Sequence, residues 1–364
     1  MLRKSSIPAL RQQIDRVDDQ LLRLLNRRAR FALEIARQKA RTNSGVYAPG
    51  REKGVIARLA RANPGPLPER LVRAIFREII SASRSLEQHL RVAYLGPEAT
   101  YTHLAARQQL GAAAEYRAAG SVGEVFHEVE SGRADLGVVP VENSTEGMVA
   151  NTLDLLADSP LRICAEISLS IRHCLLSRPD GALADLRRVV AHPQALAQCR
   201  RWLAEHLPRV STEAEASNAR AAERARDEAS TGAIAGETAA ETYGLTVLAR
   251  AIQDEPDNLT RFVVLGHDDA TQPSGDDKTS ILFSVRDEVG ILFRMLRPFA
   301  VHRIDLIKIE SRPLRGRPWE YLFFLDLKGH RQERRVQKAL VAVERSALRL
   351  KVLGSYPAAP APEM

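Results

Sequence analysis

Cysteine is scarce in this 364-residue chain. The three present, Cys164, Cys174 and Cys199, form no CxxC pair and leave an odd one over. That excludes a disulfide framework and a thiolate zinc site and points to a reducing, cytoplasmic setting. Long apolar runs are missing as well. Nothing approaches the ~20 consecutive apolar residues of a membrane span, and the opening MLRKSSIPALRQQID has no apolar core of signal-peptide length. No membrane partner is expected. GxGxxG, P-loop and HExxH patterns and paired metal-ligand spacings are all absent, so no nucleotide, flavin or metal cofactor is expected either.

What is present is apolar material for more than one core: 45 % of the residues are hydrophobic, and the length suggests two or three domains. The net charge of +8 is uneven. Residues 1–90 carry 19 Lys and Arg against 8 Asp and Glu, a local +11 that leaves −3 for the remainder. A segment so basic can meet nucleic acid, an acidic surface or a small polyanion.

Residues 7–40 contain only one proline, at the start, and no glycine. Apolar residues recur at Ile14, Val17, Leu21, Leu24, Leu25, Phe31, Ala32 and Ile35, the stripe of one long helix. RTNSGVYAPG and NPGPLP separate it from two further helices, REKGVIARLA and ERLVRAIFREIISASRSLEQ. So long a first arm cannot bury its stripe within three helices, so a second copy of the chain is expected to complete it as a homodimer or higher oligomer. From residue 91 short β-branched runs (RVAYLG, LGVVPV, LRICAEISLSIRHCLL, RRVVAH, TGAIAG) alternate with helical stretches and end at polar clusters, which implies a parallel or mixed α/β sheet with its site beyond the strand ends. After GHDDATQPSGDD, the order β-α-β-β-α-β suggests a separate small domain over 278–356, and the tail 357–364 is expected to be disordered.

Arg28 and Lys39 are eleven residues apart on one helical face, about 16 Å between Cα atoms, and Arg28 interrupts the apolar stripe, where an unpaired charge costs several kcal/mol. An anionic partner is expected there. Together with LRQQID, RRARFALEIARQK, REKGV and the i, i+4 pair Ser83 and Glu87, residues 1–90 resemble the all-helical chorismate mutase family. The resemblance implies the rearrangement of chorismate to prephenate. It places Arg11 (from the partner subunit), Arg28, Arg51, Glu52 and Ser83 at substrate and Lys39 and Glu87 at the chemistry, with Gln88 as a rival donor. An ionised Glu87 would repel the developing oxyanion, so Glu87 is expected to hold a proton. Ala48 stands where many relatives have a carboxylate, and Gly50 loosens the same loop.

RVAYLGPEATYTHLAA, GVVPVENSTEG, AHPQALAQC, EASNARAA, AIAGETAAETYGL and DNLTRFVVL resemble prephenate dehydratase over 91–268. This implies a two-lobed α/β fold like that of solute-binding proteins, with a cleft between the lobes and phenylpyruvate as product. Thr260 falls at the family's catalytic threonine. Asn143, Ser144 and Thr145 are expected to hold a substrate carboxylate with a helix N-terminus, although ENSTEG alone more often caps a helix. Gln198 and Glu215 match other cleft positions, and Arg261 is one candidate to assist Thr260. His192 is more readily structural than catalytic. Ala99 replaces a family glycine and strains its turn by about 1 kcal/mol if φ is positive; Ala191 stands where serine is common.

GILFRMLRPFA and IESRPLRGRPWEY resemble the ACT regulatory domain, of ferredoxin-like α+β fold. This implies phenylalanine as effector, bound near Gly290, Leu292, Glu310, Ser311, Arg312 and Pro313, with an ordinary turn and a Glu310–Arg312 pair as the plainer alternative. A ligand-sensing nucleic-acid regulator would share the basic head, but the head has no helix-turn-helix pattern and no basic stripe interleaved with aromatics. No nucleic-acid partner is expected.

Overall fold

The computed structural model of the chain describes residues 6–42, 47–269, 272–313 and 321–359. It divides into two units: residues up to 48, 54–90 and 110–115 form the first, and 49–53, 91–109 and 116 onward the second.

The first unit is helical. The apolar stripe becomes α1, Ile7–Thr42, and α2, Pro49–Arg61, begins with proline at a position whose N–H no helix uses. Helix α3, Glu69–Glu87, ends where Gln88 turns extended (φ −159°, ψ 136°). Within one chain the α1 stripe stays largely uncovered: Leu21 is 51 %, Leu24 59 % and Phe31 52 % exposed.

The second unit contains two sheets joined by two crossovers, with a third sheet packed on one of them. In the first lobe, β1 (Arg91–Leu95), β2 (Glu115–Ala119), β3 (Leu136–Asn143), β4 (Gly147–Met148) and β5 (Arg162–Ser170) are interleaved with α4 (Tyr101–Leu110), α5 (Val122–Glu130) and α6 (Ala150–Asp158). Gly137 lets α5 lie directly on β3, since a Cβ there would meet Val125 at 2.9 Å. The chain then crosses to a second lobe: β6 (Cys174–Ser177), β7 (Arg188–Ala191), α7 (Pro193–Gln198), α8 (Arg200–His206), β8 (Ser211–Ala214), α9 (Asn218–Asp227), β9 (Thr231–Ala235), α10 (Glu237–Tyr243) and β10 (Thr246–Ala249). It returns as β11, Leu259–Gly266, and the sheet orders become β2-β1-β3-β11-β5, with β4 beside β3, and β10-β6-β9-β7-β8. Both sheets are mixed. The crossovers hold one another: Ile171 N donates to Asn258 O at 2.8 Å and Ile252 N to His173 O at 2.9 Å. Ala99 has φ 62°, so the expected left-handed turn without glycine is present.

The last part keeps the expected order: β12 (Asp277–Val285), α11 (Ile291–Val301), β13 (Leu306–Pro313), β14 (Tyr321–Lys328), α12 (Arg334–Glu344) and β15 (Arg349–Pro357), in an antiparallel sheet β13-β14-β12-β15. It is not separate from its neighbour. Ile281, Phe283, Leu325 and Leu327 pack beneath α11 and α12, while Leu282, Phe324, Leu353 and Tyr356 share a core with Val139, Ile163 and Val263. A Cβ at Gly354 would overlap the Ile163 backbone, so β15 lies against β5. The expected linker is docked too, because Asp269 pairs with Arg331 at 2.8 Å and accepts from Ser355 N at 3.0 Å. The tail is strand through Pro357, and Ala359 N donates to Glu166 at 2.7 Å. Hydrogen bonds and burial hold residues that composition alone marks as loose. The expected disorder of 360–364 lies outside the described residues.

Candidate active sites

In the first unit α3 packs along α1. The two helices bring four of the expected residues together in two pairs. The Arg28 guanidinium points at α3, donating to Ser83 Oγ and to Ile79 O at 3.3 Å. Three turns along, Lys39 Nζ lies 3.3 Å from Glu87 Oε2. Ser83 and Glu87 therefore do share the face that meets the two cations, as their spacing required. Gln88 is exposed beyond the helix end and has no such place. Arg11 is exposed on the first turns of α1, while Arg51 and Glu52 lie on the first turn of α2, in the stretch that belongs to the second unit.

The second site is a cleft of about 340 Å³ between the two lobes, a size suited to a small organic acid. Strand β11 brings Thr260 to its floor directly opposite Asn143 of β3. Asn143 Oδ1 accepts from Thr145 N (3.0 Å), Glu146 N (3.1 Å) and Thr145 Oγ1 (2.5 Å). Because backbone N–H groups only donate, Oδ1 must face them and Nδ2 must face the cleft, where it donates to Thr260 Oγ1 at 2.8 Å and Asn258 Oδ1 at 2.9 Å. The polar corner ENSTEG is thus a turn between β3 and β4, and the next helix begins only at Ala150. Neither a helix cap nor a helix N-terminus is formed by it.

Several sequence expectations are corrected at this site. Ser144 is exposed and spends its hydroxyl on the backbone, donating to Asp257 O (3.2 Å) and accepting from Leu259 N (2.9 Å). Glu215 is 3.0 Å from Arg224, which also pairs with Glu213 and Glu228, and it does not line the cleft. Arg261 cannot assist Thr260, since adjacent strand residues point to opposite faces. Its guanidinium meets Glu142 (3.1 Å), Glu166 (3.5 Å) and Asp326 (2.6 Å) on the far side. Burial alone would lower the Arg261 pKa, but Asp326, Tyr356, Glu166 and Glu142 hold it above its ordinary value.

Gln198 is where the sequence reading put it. Its Oε1 accepts from Asn258 Nδ2 (3.0 Å) and faces His173 Nε2 (2.9 Å), and its Nε2 donates to Thr145 Oγ1 (3.1 Å). His192 lines the cleft and caps α7 by accepting from Gln194 N at 3.3 Å, a structural role. His173, Tyr101 and Asn258 were missed. Tyr101 Oη lies between Arg172 O (2.8 Å) and His173 Nδ1 (3.1 Å). Burial pushes the His173 pKa down, against the opposing bond from Gln198. The position of His173 and Asn258 on the two crossovers is a tertiary feature, and only the DNLTRF block hinted at Asn258.

Beside the third sheet Gly290 adopts φ 75° at the start of α11, and Leu292 is exposed in its first turn. The ESRP segment divides between two faces. Glu310 and Arg312 stand opposite Phe324 and Leu322, on the side that meets the first lobe, and Ser311 stands opposite Phe323 on the helix side, as Pro313 does by alternation. Arg312 pairs with Asp154 of α6 at 3.3 Å, and Glu310 lines a small interior gap beside Lys308 and Arg261. The anticipated Glu310–Arg312 pair is replaced by these contacts across the sheet interface. Among the described residues no cluster of His, Cys, Asp and Glu could hold a metal.

Three family models match in chain order: chorismate mutase type II over residues 10–88, prephenate dehydratase over 92–270 and ACT domain over 279–345. A bifunctional chorismate mutase/prephenate dehydratase of Aquifex aeolicus is 47 % identical over 96 % of this chain and 97 % of its own length. Among solved structures, the prephenate dehydratase of Arthrobacter aurescens in complex with L-Phe is 37 % identical with a TM-score of 0.69, covering 74 % of this chain and 90 % of that one. A protein described as a novel type of quorum quenching acylase, GqqA, is 32 % identical with a TM-score of 0.68, covering 74 % and 98 %. One fold therefore carries different chemistry, and the residues of each site must decide what it does.

Proposed function

The chain belongs to the family of bifunctional chorismate mutase/prephenate dehydratases, and from that premise we propose how its residues divide two consecutive reactions of phenylalanine biosynthesis. In the helical site, Arg28 and Ser83, with Arg11 of the partner subunit, clamp the carboxylates of chorismate in the compact reactive conformer. Lys39 faces the ether oxygen as it gains charge, and Glu87 stands beside it as the second side chain at that oxygen. The Arg28–Ser83 and Lys39–Glu87 contacts support this arrangement. The exposed α1 stripe is covered by the same stripe of a second copy, which delivers its Arg11.

In the cleft, prephenate loses carbon dioxide and its ring hydroxyl. The electron pair of the breaking carbon–carboxylate bond closes the aromatic ring, and the departing hydroxyl takes a hydrogen from Thr260 to leave as water, a hydrogen that Thr260 regains from solvent entering the cleft. Thr145 and Gln198 border the substrate, with Asn143 behind Thr260. The observation that carries this reading is that Asn143 occupies a lone pair of Thr260 and leaves the hydroxyl hydrogen to the cleft. Phenylalanine, bound in the Arthrobacter relative, is the effector here, read by Gly290, Leu292 and the Ser311 side of β13. Glu310 and Arg312 pass its binding on to the neighbouring lobe. Buried free cysteines suit a cytoplasmic enzyme.

The test follows both substrates by absorbance in the full chain. Thr260→Val is expected to convert chorismate to prephenate and stop, with phenylpyruvate formation down at least about a hundredfold. Arg28→Met is expected to leave chorismate untouched but still consume supplied prephenate. A Thr260→Val protein that makes phenylpyruvate at the parent rate removes the dehydratase reading.

A further inference from the structure

The hydrogen bonds around Thr260 close into a ring that runs in one direction. Asn143 Nδ2 donates to Asn258 Oδ1 (2.9 Å), Asn258 Nδ2 to Gln198 Oε1 (3.0 Å), Gln198 Nε2 to Thr145 Oγ1 (3.1 Å), and Thr145 Oγ1 back to Asn143 Oδ1 (2.5 Å). The direction is not arbitrary. The N–H groups of Thr145 and Glu146 force Asn143 Oδ1 toward the turn. Each amide after it must then present oxygen to the preceding donor and nitrogen to the next acceptor. Chains of this kind polarise one another and lock orientation.

Other bonds branch from the ring, Asn143 Nδ2 to Leu259 O at 3.3 Å and His173 Nε2 to Gln198 Oε1 at 2.9 Å, and one branch leads to Thr260. The second hydrogen of Asn143 Nδ2 goes to Thr260 Oγ1 at 2.8 Å, and since an amide nitrogen accepts nothing, Thr260 can meet it only as an acceptor. No described residue takes the Thr260 hydroxyl hydrogen, and the residue lines the cleft. Were the ring reversed, an amide oxygen would face Thr260 and draw that hydrogen inward, away from any substrate.

We infer that Asn258, which makes no hydrogen bond to Thr260 and does not line the cleft, is a positioning residue of the dehydratase: it passes the direction imposed at the turn on from Asn143 to Gln198, closes the ring, and so holds the Thr260 hydroxyl as a donor toward substrate. This rests on the catalytic reading of Thr260 above. Asn258 is almost wholly buried on the crossover between lobes, and its backbone carbonyl accepts from Ile171 N on the other crossover. The ring spans both lobes, because Gln198 belongs to the second lobe and Asn143 and Thr145 to the first. Its closure therefore also reports that the lobes are in register.

The test is Asn258→Asp in the full chain, a change that keeps shape and replaces the donor to Gln198 by an acceptor. At pH 8 the dehydratase kcat is expected to fall at least tenfold with KM within about twofold, and to recover relative to the parent as the pH is lowered and the new carboxyl regains a hydrogen. Mutase activity on the same preparation serves as the check on folding. Thr145→Val, which opens the ring at another edge, is expected to lower kcat at every pH without recovery. An Asn258→Asp profile that runs parallel to the parent at all pH values, whether lowered or not, overturns the proposal. Thr260→Val separates the two levels: if it keeps dehydratase activity, the reading of Thr260 fails and the ring has nothing to orient, whereas an inactive Thr260→Val beside a parallel Asn258→Asp profile defeats the ring alone.

Discussion

Arg261 Nη1 lies 2.6 Å from Asp326 Oδ2, an ion pair that ties the residue next to Thr260 to β14 of the regulatory sheet. Glu142, next to Asn143, makes the parallel contact to Lys308 of β13. The cross-strand pair that floors the cleft is thus backed, one residue on, by a pair anchored in the sheet that carries the proposed effector site.

Asp326→Asn keeps the shape of that contact and removes its charge. Arg261 retains Glu142 and Glu166, so the loss is expected below the full cost of stripping a buried partner, at about 2–3 kcal/mol in a urea titration. An unchanged unfolding midpoint would show that Asp326 contributes no net stability.

For the mutase site, Lys39 and Glu87 predict different outcomes for two variants. Glu87→Gln puts a neutral donor beside Lys39 and is expected to keep mutase kcat within about threefold of the parent, whereas Lys39→Met removes the charge that faces the ether oxygen and is expected to lower kcat at least about a hundredfold. A Lys39→Met protein with the parent kcat would exclude that role for Lys39.

His173 and His103 are both held below the ordinary value of 6.5, burial being the main cause in each. The folded state therefore favours the neutral ring. Stability is fully present above pH 6.5 and is lost as pH falls through the lowered folded pKa values, at up to about 1.4 kcal/mol per pH unit for each ring. Urea midpoints between pH 7.5 and 5 should drop more steeply for the parent than for His173→Asn.

The α1 stripe predicts assembly. Leu24→Asp places a charge where a second copy is expected to pack, so the variant should sediment at half the parent mass and lose mutase activity, with dehydratase activity on supplied prephenate kept. A monomeric parent protein in sedimentation would remove the need for Arg11 from a partner.

Local pattern and chemistry were readable from residue order alone. The 3.6-residue period set α1 and α3 and brought Arg28, Lys39, Ser83 and Glu87 to facing stripes, because helical spacing converts directly into geometry. The run ending at Asn143 and the DNLTRF block placed Asn143 and Thr260, and the β-α-β-β-α-β order of the last domain was visible in its alternating textures. What only the tertiary structure decided depended on which strands became neighbours. Arg261, next to Thr260, turns the other way, toward Glu166 of β5 and Asp326 of β14, and only the neighbouring strands decide that face. Glu215 found Arg224, and Ser144 found the backbone of the second crossover. The ring through Asn258 joins residues 143, 145, 198 and 258, which no sequence period relates. Its direction follows from two backbone N–H groups whose partner is chosen only once β3 has turned back on itself.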